Sequence, residues 1–231
     1  DVYKRQEAAR EQIGEREAYV DGARRLSFAQ WLEAADAVAA LLEAQGVGQG
    51  DVVALHLSPS IDYAICYAAV ARLGAVTTGV NPRHGPRECR GIADRCRPRV
   101  VVTESADAGE GEVDLWGAAR VLRLEEVVGA EPGSPRAAID ASDPSDPVAI
   151  IWTSGTTGLP KGAWFDHRNM EAAVAAGGAM TAAFDRRISA IPMVHAGYMS
   201  KLWEQLAMGV AIVLSPTPWS AESMLEVLVE E

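Results

Sequence analysis

Apolar positions recur along this chain with two periods, and turn residues separate the runs. Behind Ser27, the residues Trp31, Ala35, Val38 and Leu42 recur at helical spacing, so one helix face is buried. Ser27 with Gln30 has the form of a capping box and Leu26 with Trp31 that of a hydrophobic staple, which starts this helix; Gly46 stops it. Residues 52–57 are an apolar run of strand length. Ser60 caps a helix that runs to Leu73, Gly74 ends it, and residues 75–80 form the next strand. Pro86 suits the first turn of another helix, which ends before Pro98, and residues 99–103 are a dense β run. Strands alternating with helices through short connections predict an α/β chain, with a parallel sheet covered by helices on both faces.

The remaining segments carry weaker patterns. Residues 7–18 are charged and weakly helical, and residues 19–22 read as a short strand and a turn. Residues 104–118 are acidic and irregular, and residues 120–124 read as a strand. Residues 129–147, rich in Pro, Asp, Ser and Gly, read as an exposed connection. Residues 163–165 have strand character, and Asp166 caps a helix of roughly 16 residues ending near Phe184. A strand at 188–191, a helix at 198–208, a turn at Gly209, a strand at 210–214 and a last helix capped by Ser220 complete the series. Residues 1–6 carry no pattern that ties them to the rest, which marks them as a candidate foreign extension.

Composition narrows the classes of function. The chain has 231 residues, 48% of them hydrophobic, enough for one large domain or two small ones. A net charge of −11 argues against nucleic acid as the main partner, because phosphate backbones require a basic footprint. Three cysteines, Cys66, Cys89 and Cys96, point to reduced thiols and a cytoplasmic setting. Cys89 and Cys96 can share a helix face, but their spacing is no zinc pattern, and no metal ligand is assigned. No apolar run approaches the roughly 20 residues of a membrane span.

The chemistry concentrates after residues 148–152, an apolar β run. There the chain reads Thr153-Ser154-Gly155-Thr156-Thr157-Gly158-Leu159-Pro160-Lys161-Gly162. Glycines let the backbone approach a ligand and adopt positive φ, and successive N–H groups in such a loop form an anion site. Hydroxyls add donors, and Lys161 adds a mobile positive charge. The loop fails the Walker pattern, since Pro160 precedes the lysine and Gly162 follows it; the glycine spacing also fails the dinucleotide fingerprint.

The segment from Thr153 to Gly162 resembles the phosphate loop of the adenylate-forming superfamily, which includes acyl-CoA synthetases, peptide-synthetase adenylation domains and luciferases. Asp166-His167-Arg168-Asn169-Met170 is similar to its usual continuation, and the residues at 46–51 and Asn81-Pro82-Arg83 are similar to earlier pieces of the same N-terminal domain. The resemblance implies layered parallel-rich sheets flanked by helices and an incomplete N-terminal AMP-binding domain without its C-terminal domain. It implies ATP, magnesium and coenzyme A as cofactors and a small-molecule carboxylate as substrate. Thr153, Ser154, Gly155, Thr156, Thr157, Gly158 and Lys161 would hold the phosphates, with Lys161 neutralising charge as pyrophosphate leaves. His195, in Pro-Met-Val-His, resembles the second core motif and would line the acyl pocket with Ala196 and Gly197.

The other candidates read as structural. His167 supports a helix start, and neither His56 nor His84 receives a role. Trp152, Trp164, Trp203 and Trp219 read as packing residues. The implied activity is conversion of a carboxylic acid to acyl-AMP and then to a coenzyme A thioester, with this chain alone incomplete for turnover. The alternatives are an adenylation domain that loads a carrier protein, a non-catalytic nucleotide-binding module, and an ATP-hydrolysing phosphate-loop protein, against which the failed Walker pattern counts.

Overall fold

A computed structural model describes residues 2–104, 115–133, 143–153, 160–177 and 180–231. Six strands form the larger sheet: β3 (Val52–His56), β4 (Val76–Gly79), β5 (Val100–Thr103), β6 (Arg120–Arg123), β7 (Pro147–Thr153) and β8 (Lys161–Asp166). Their spatial order is β6-β5-β3-β4-β7-β8, parallel throughout except for β8, which returns antiparallel to β7. The smaller sheet has the order β2-β1-β10-β9, built from β1 (Glu17–Asp21), β2 (Arg24–Ser27), β9 (Arg186–Ser189) and β10 (Ala211–Leu214). Only β2 runs antiparallel in it. The architecture is therefore the layered, parallel-rich α/β arrangement that the strand–helix alternation predicts.

Helix α3 (Ile61–Arg72) explains how the layers join. Eleven of its 12 residues are buried, so it has no solvent face. It packs on α2 (Phe28–Ala44) and touches β1 of one sheet and β3 and β4 of the other. Helices apolar all round belong inside a protein. On β3, Val53 and Leu55 face this main core while Ala54 faces a second cluster, as the two-residue period of a strand requires. Cys89, Ile92 and Ala93 of α4 (Pro86–Cys96) cover that second face together with Trp116. The inner strands β3, β4, β5 and β7 are buried on both sides, which is why β3, β5 and β7 read as apolar runs, whereas the edge strand β8 is largely exposed.

The local signals at α2 and α3 operate as expected. Ser27 Oγ accepts from Gln30 N at 3.2 Å, and Gln30 Oε1 accepts from Ser27 N at 2.9 Å. Ser60 Oγ accepts from Tyr63 N at 3.2 Å. Gly46 and Gly74 end their helices at positive φ, 86° and 62°.

Four expected elements change. The helix expected over 7–18 is α1 (Val2–Ile13), and residues 17–21 belong to β1. Ala9 and Ile13 meet the main core, but several of its contacts are polar, so its apolar stripe is narrow. Gln6 is fully buried and donates to Ala68 O at 3.2 Å, while Glu7 and Arg10 pair with Arg72 and Asp36. The helix after Asp166 stops early: α6 spans His167–Gly177. A Cβ at Gly177 would lie 2.8 Å from the side-chain ends of both Glu204 and Lys201, and Thr181 Oγ1 donates back to Gly177 O at 3.1 Å. The strand expected at 188–191 is β9 (Arg186–Ser189), placed two residues earlier by its pairing from Arg186 opposite Ala211 to Ser189 opposite Leu214. The helix expected over 198–208 is split into α7 (Ala196–Met199) and α8 (Leu202–Met208). At the break Ser200 Oγ donates to Ala196 O at 2.6 Å, a side-chain bond that competes with the helical ladder. Helices α5 (Leu124–Val128) and α9 (Ala221–Glu230) complete the described elements, and Ser220 caps α9 with Ser223.

No described helix is long and apolar enough to cross a membrane. No disulfide links the three cysteines; Cys66 and Cys89 are buried, and burial pushes the half-buried Cys96 thiol up to about 12.

Two half-buried imidazoles make stability depend on pH. His56 packs against Trp116 with ring centres 5.5 Å apart, and its Nε2 has no hydrogen-bond partner among the described residues. The same holds for Nδ1 of His167. Burial holds both below the ordinary value of 6.5. The unfolded chain therefore binds protons first. The stabilisation is complete above pH 6.5 and is lost as pH falls through the folded values. Thermal denaturation from about pH 7.5 to about pH 5.5 should show a falling midpoint, and His56→Gln should flatten the fall.

Candidate functional site

The central feature is the β7–β8 hairpin. The two strands pair from Pro147 opposite Asp166 to Thr153 opposite Lys161. Thr153 and Lys161 are therefore cross-strand neighbours, and Thr153 Oγ1 donates to Lys161 O at 3.3 Å. Residues 154–159 span the gap between them; Ser154, Gly155, Thr156, Thr157 and Gly158 lie outside the described residues. Lys161 stands exposed at the first position of β8.

Trp152 and Gly162 set the hairpin's local geometry. They are register partners, and a Cβ at Gly162 would come within 3.1 Å of the Trp152 ring and 2.8 Å of Ile150 Cγ2. The indole is not free to yield, because its Nε1 donates to Thr78 Oγ1 on β4 at 2.6 Å. Gly162→Val should cost about 1–3 kcal/mol through overpacking and break the indole bond, read by chemical denaturation and tryptophan fluorescence.

The hairpin leads directly into α6. Asp166 Oδ1 accepts from Asn169 N at 2.8 Å, and Asn169 Oδ1 accepts from Asp166 N at 3.0 Å, a reciprocal cap. Arg168 bonds the same carboxylate at 2.6 Å and holds it below the ordinary range of an aspartate. His167 is the first residue of that helix, as a helix-start role requires.

His195 arrives from the other sheet. It caps α7, and its Nδ1 accepts from Gly197 N at 3.2 Å. In the neutral ring Nε2 then carries the hydrogen. A buried hydroxyl network anchors this segment. Tyr19 donates to Gln205 Oε1 at 2.7 Å, which leaves Tyr198 to donate to Tyr19 across 2.6 Å, and Gln205 Nε2 donates to Ala18 O at 3.1 Å. Tyr67 Oη donates to Met199 O at 2.8 Å. Burial pushes the hydroxyls of Tyr19, Tyr67 and Tyr198 well above the ordinary tyrosine value, so they act as neutral hydrogen-bonding groups.

A cavity of about 210 Å³ brings these parts together: Thr153, Trp152 and Pro160 from the hairpin, His195 and Val194 from the segment after β9, and Asn81 and His84 from the turn after β4. Ala196 and Gly197 are not among its lining residues; Ala196 packs on the main core, and Gly197 lies against Ile191. A second cavity of about 630 Å³ adjoins it, shares Asn81, Pro192 and Val194, and extends to Ser215 and Trp219 after β10. Both open at the carboxyl ends of parallel strands, where α/β sheets bind ligands.

Sequence reasoning passed over His84 and Trp152. The signal available for His84 was its turn, which follows a strand of a parallel sheet. Trp152, read only as packing, also lines the smaller cavity. Among the described residues, no group of three or more His, Cys, Asp or Glu side chains could hold a metal ion. A magnesium ion carried by nucleotide phosphates requires few protein ligands.

Comparison with known proteins places the fold and the family. The chain is 35% identical over 177 residues to 4-coumarate–CoA ligase 3 of Oryza sativa subsp. japonica, covering 71% of this chain and 31% of that protein. It is 33% identical over 151 residues to 4-chlorobenzoate–CoA ligase of an Arthrobacter species, covering 64% and 29%. The chain thus spans about a third of the length of these curated relatives. The inhibitor-bound N-terminal domain of FACL13 from Mycobacterium tuberculosis superposes with a TM-score of 0.89 at 24% identity, covering 100% of this chain and 60% of that one. The profile of the family described as AMP-binding enzyme matches residues 5–231, and the chain belongs to that adenylate-forming family.

Proposed function

We propose that this chain carries the phosphate-binding part, and a portion of the acyl-binding part, of an acid–thiol ligase. A carboxylate oxygen attacks the α-phosphorus of ATP and the bond to pyrophosphate breaks, leaving acyl-AMP. A thiol sulfur then attacks the acyl carbonyl, AMP departs, and the thiol proton is released. The observation that carries this reading is the β7–β8 hairpin, whose paired ends Thr153 and Lys161 bracket the phosphate-loop motif beside the His195 segment. Transfer at phosphorus depends mostly on positioning and charge stabilisation. Main-chain N–H groups, the hydroxyls of Thr153, Ser154, Thr156 and Thr157, and Lys161 supply both. His195 shapes the acyl side, its Nε2 hydrogen available as a donor. Magnesium would travel with the nucleotide and neutralise phosphate charge.

The named ligase relatives favour coenzyme A over a carrier protein as the thiol. The test is carboxylate-dependent exchange of labelled pyrophosphate into ATP, run in the longer protein that this reading requires with short, long and aromatic acids. Exchange confined to certain acids supports adenylation, and conversion on adding coenzyme A identifies the acceptor. Release of ADP in place of AMP refutes the reading.

A further inference from the structure

His84 is the residue of the smaller cavity that the motif does not account for. It ends the turn after β4, where its N–H donates to Asn81 O at 2.9 Å, and its side chain is half-buried. Among the described residues, its imidazole makes no hydrogen bond or ion pair, yet it lines the cavity with His195, Asn81 and Thr153. None of the nine described lining residues is acidic, although the chain carries a net charge of −11.

The hydrogen-bonding capacity of this lining is mostly that of donors. Nε2 of His195 carries a hydrogen because Nδ1 accepts from Gly197. The Asn81 carbonyl is engaged by Arg83 N at 2.9 Å, which leaves its NH₂ as the group to donate. The Trp152 N–H is already committed to Thr78 and the Thr153 hydroxyl to Lys161 O, so the donors left are those of His84, His195 and Asn81. A donor-rich cavity without carboxylates suits an anion, and about 210 Å³ holds a phosphate group and not a whole nucleotide. Thr153 and Pro160, which flank the phosphate-loop motif in sequence, line the same cavity.

We propose that His84 is an additional polyphosphate-binding residue, donating from its imidazole to a terminal phosphate oxygen of ATP or to released pyrophosphate, an assignment that rests on the ATP-binding reading above. The wild-type chain, His84→Ala and His84→Gln are titrated calorimetrically with ATP, pyrophosphate and AMP. Folding of each is checked by circular dichroism, and the four histidine Cε1–H resonances are followed by NMR. His84→Ala should weaken ATP and pyrophosphate about tenfold, as loss of one hydrogen bond to a charged group does, and leave AMP unchanged. His84→Gln, which retains an N–H donor, should recover most of the loss. The His84 resonance should shift with ATP and pyrophosphate and stay fixed with AMP.

Unchanged ATP and pyrophosphate affinity in His84→Ala, beside intact wild-type binding, overturns the assignment and leaves the ATP-binding reading standing. An equal loss for AMP overturns the placement at the polyphosphate. Failure of the wild-type chain to bind any of the three ligands overturns the ATP-binding reading, and the assignment with it.

Discussion

Replacing Trp31 with alanine should lower the stability of this chain by about 3–5 kcal/mol, the largest effect expected of a single core substitution here. Trp31 is fully buried on α2. Its ring meets Tyr19 of β1 edge-on with centres 5.0 Å apart and Phe28 at 6.0 Å, and its Nε1 donates to Ala64 O of α3 at 3.1 Å. One side chain thus joins α2, α3 and the small sheet. Its loss leaves a large void and removes a second hydrogen bond to a carbonyl of the α3 ladder, on a helix with no solvent face. At about 2–4 °C per kcal/mol for a chain of this size, the thermal midpoint should fall by roughly 6–20 °C. Trp31→Phe keeps most of the apolar volume and loses the N–H bond, so it should cost much less. Calorimetric unfolding of the two variants separates cavity from hydrogen bond. A loss below about 1 kcal/mol for the alanine variant contradicts this account of the core.

The second large effect lies in the proposed reaction. Lys161→Ala should reduce carboxylate-dependent pyrophosphate exchange by about a hundredfold or more, the scale seen when one charge-stabilising group is removed from a transition state. The fold should tolerate the change, because Lys161 is exposed and the hairpin uses its backbone, not its ammonium group, to pair with Thr153. Lys161→Arg should restore only part of the rate, since a planar guanidinium does not replace a compact ammonium ion. Equal exchange in wild type and Lys161→Ala removes the lysine from the mechanism. Equal loss of stability and exchange assigns it a structural role.

The ends of α2 and α3, the start of α9, the strand character of β3, β4 and β5, and the phosphate-loop motif were determined by sequence alone. Each rests on interactions within a few residues: a serine oxygen on a nearby N–H, a glycine at positive φ, a run of apolar side chains. The family likeness was legible for the same reason, since ten consecutive residues carry it. Only the tertiary structure decided the rest. Helix α1 is held by Ala9 and Ile13 on the core and by Gln6, Glu7 and Arg10 reaching partners on α2 and α3, polar contacts that leave no periodic trace. Beyond the end of α6, Thr181 bonds both Gly177 O and the Glu204 carboxylate of a different helix. His84, which had no local sign of a role, shares a cavity with His195 because two sheets bring the ends of β4 and β9 together. Local hydrogen bonds and apolar spacing are written along the chain, whereas convergence of distant polar side chains depends on layer packing and appears only when the sheets meet.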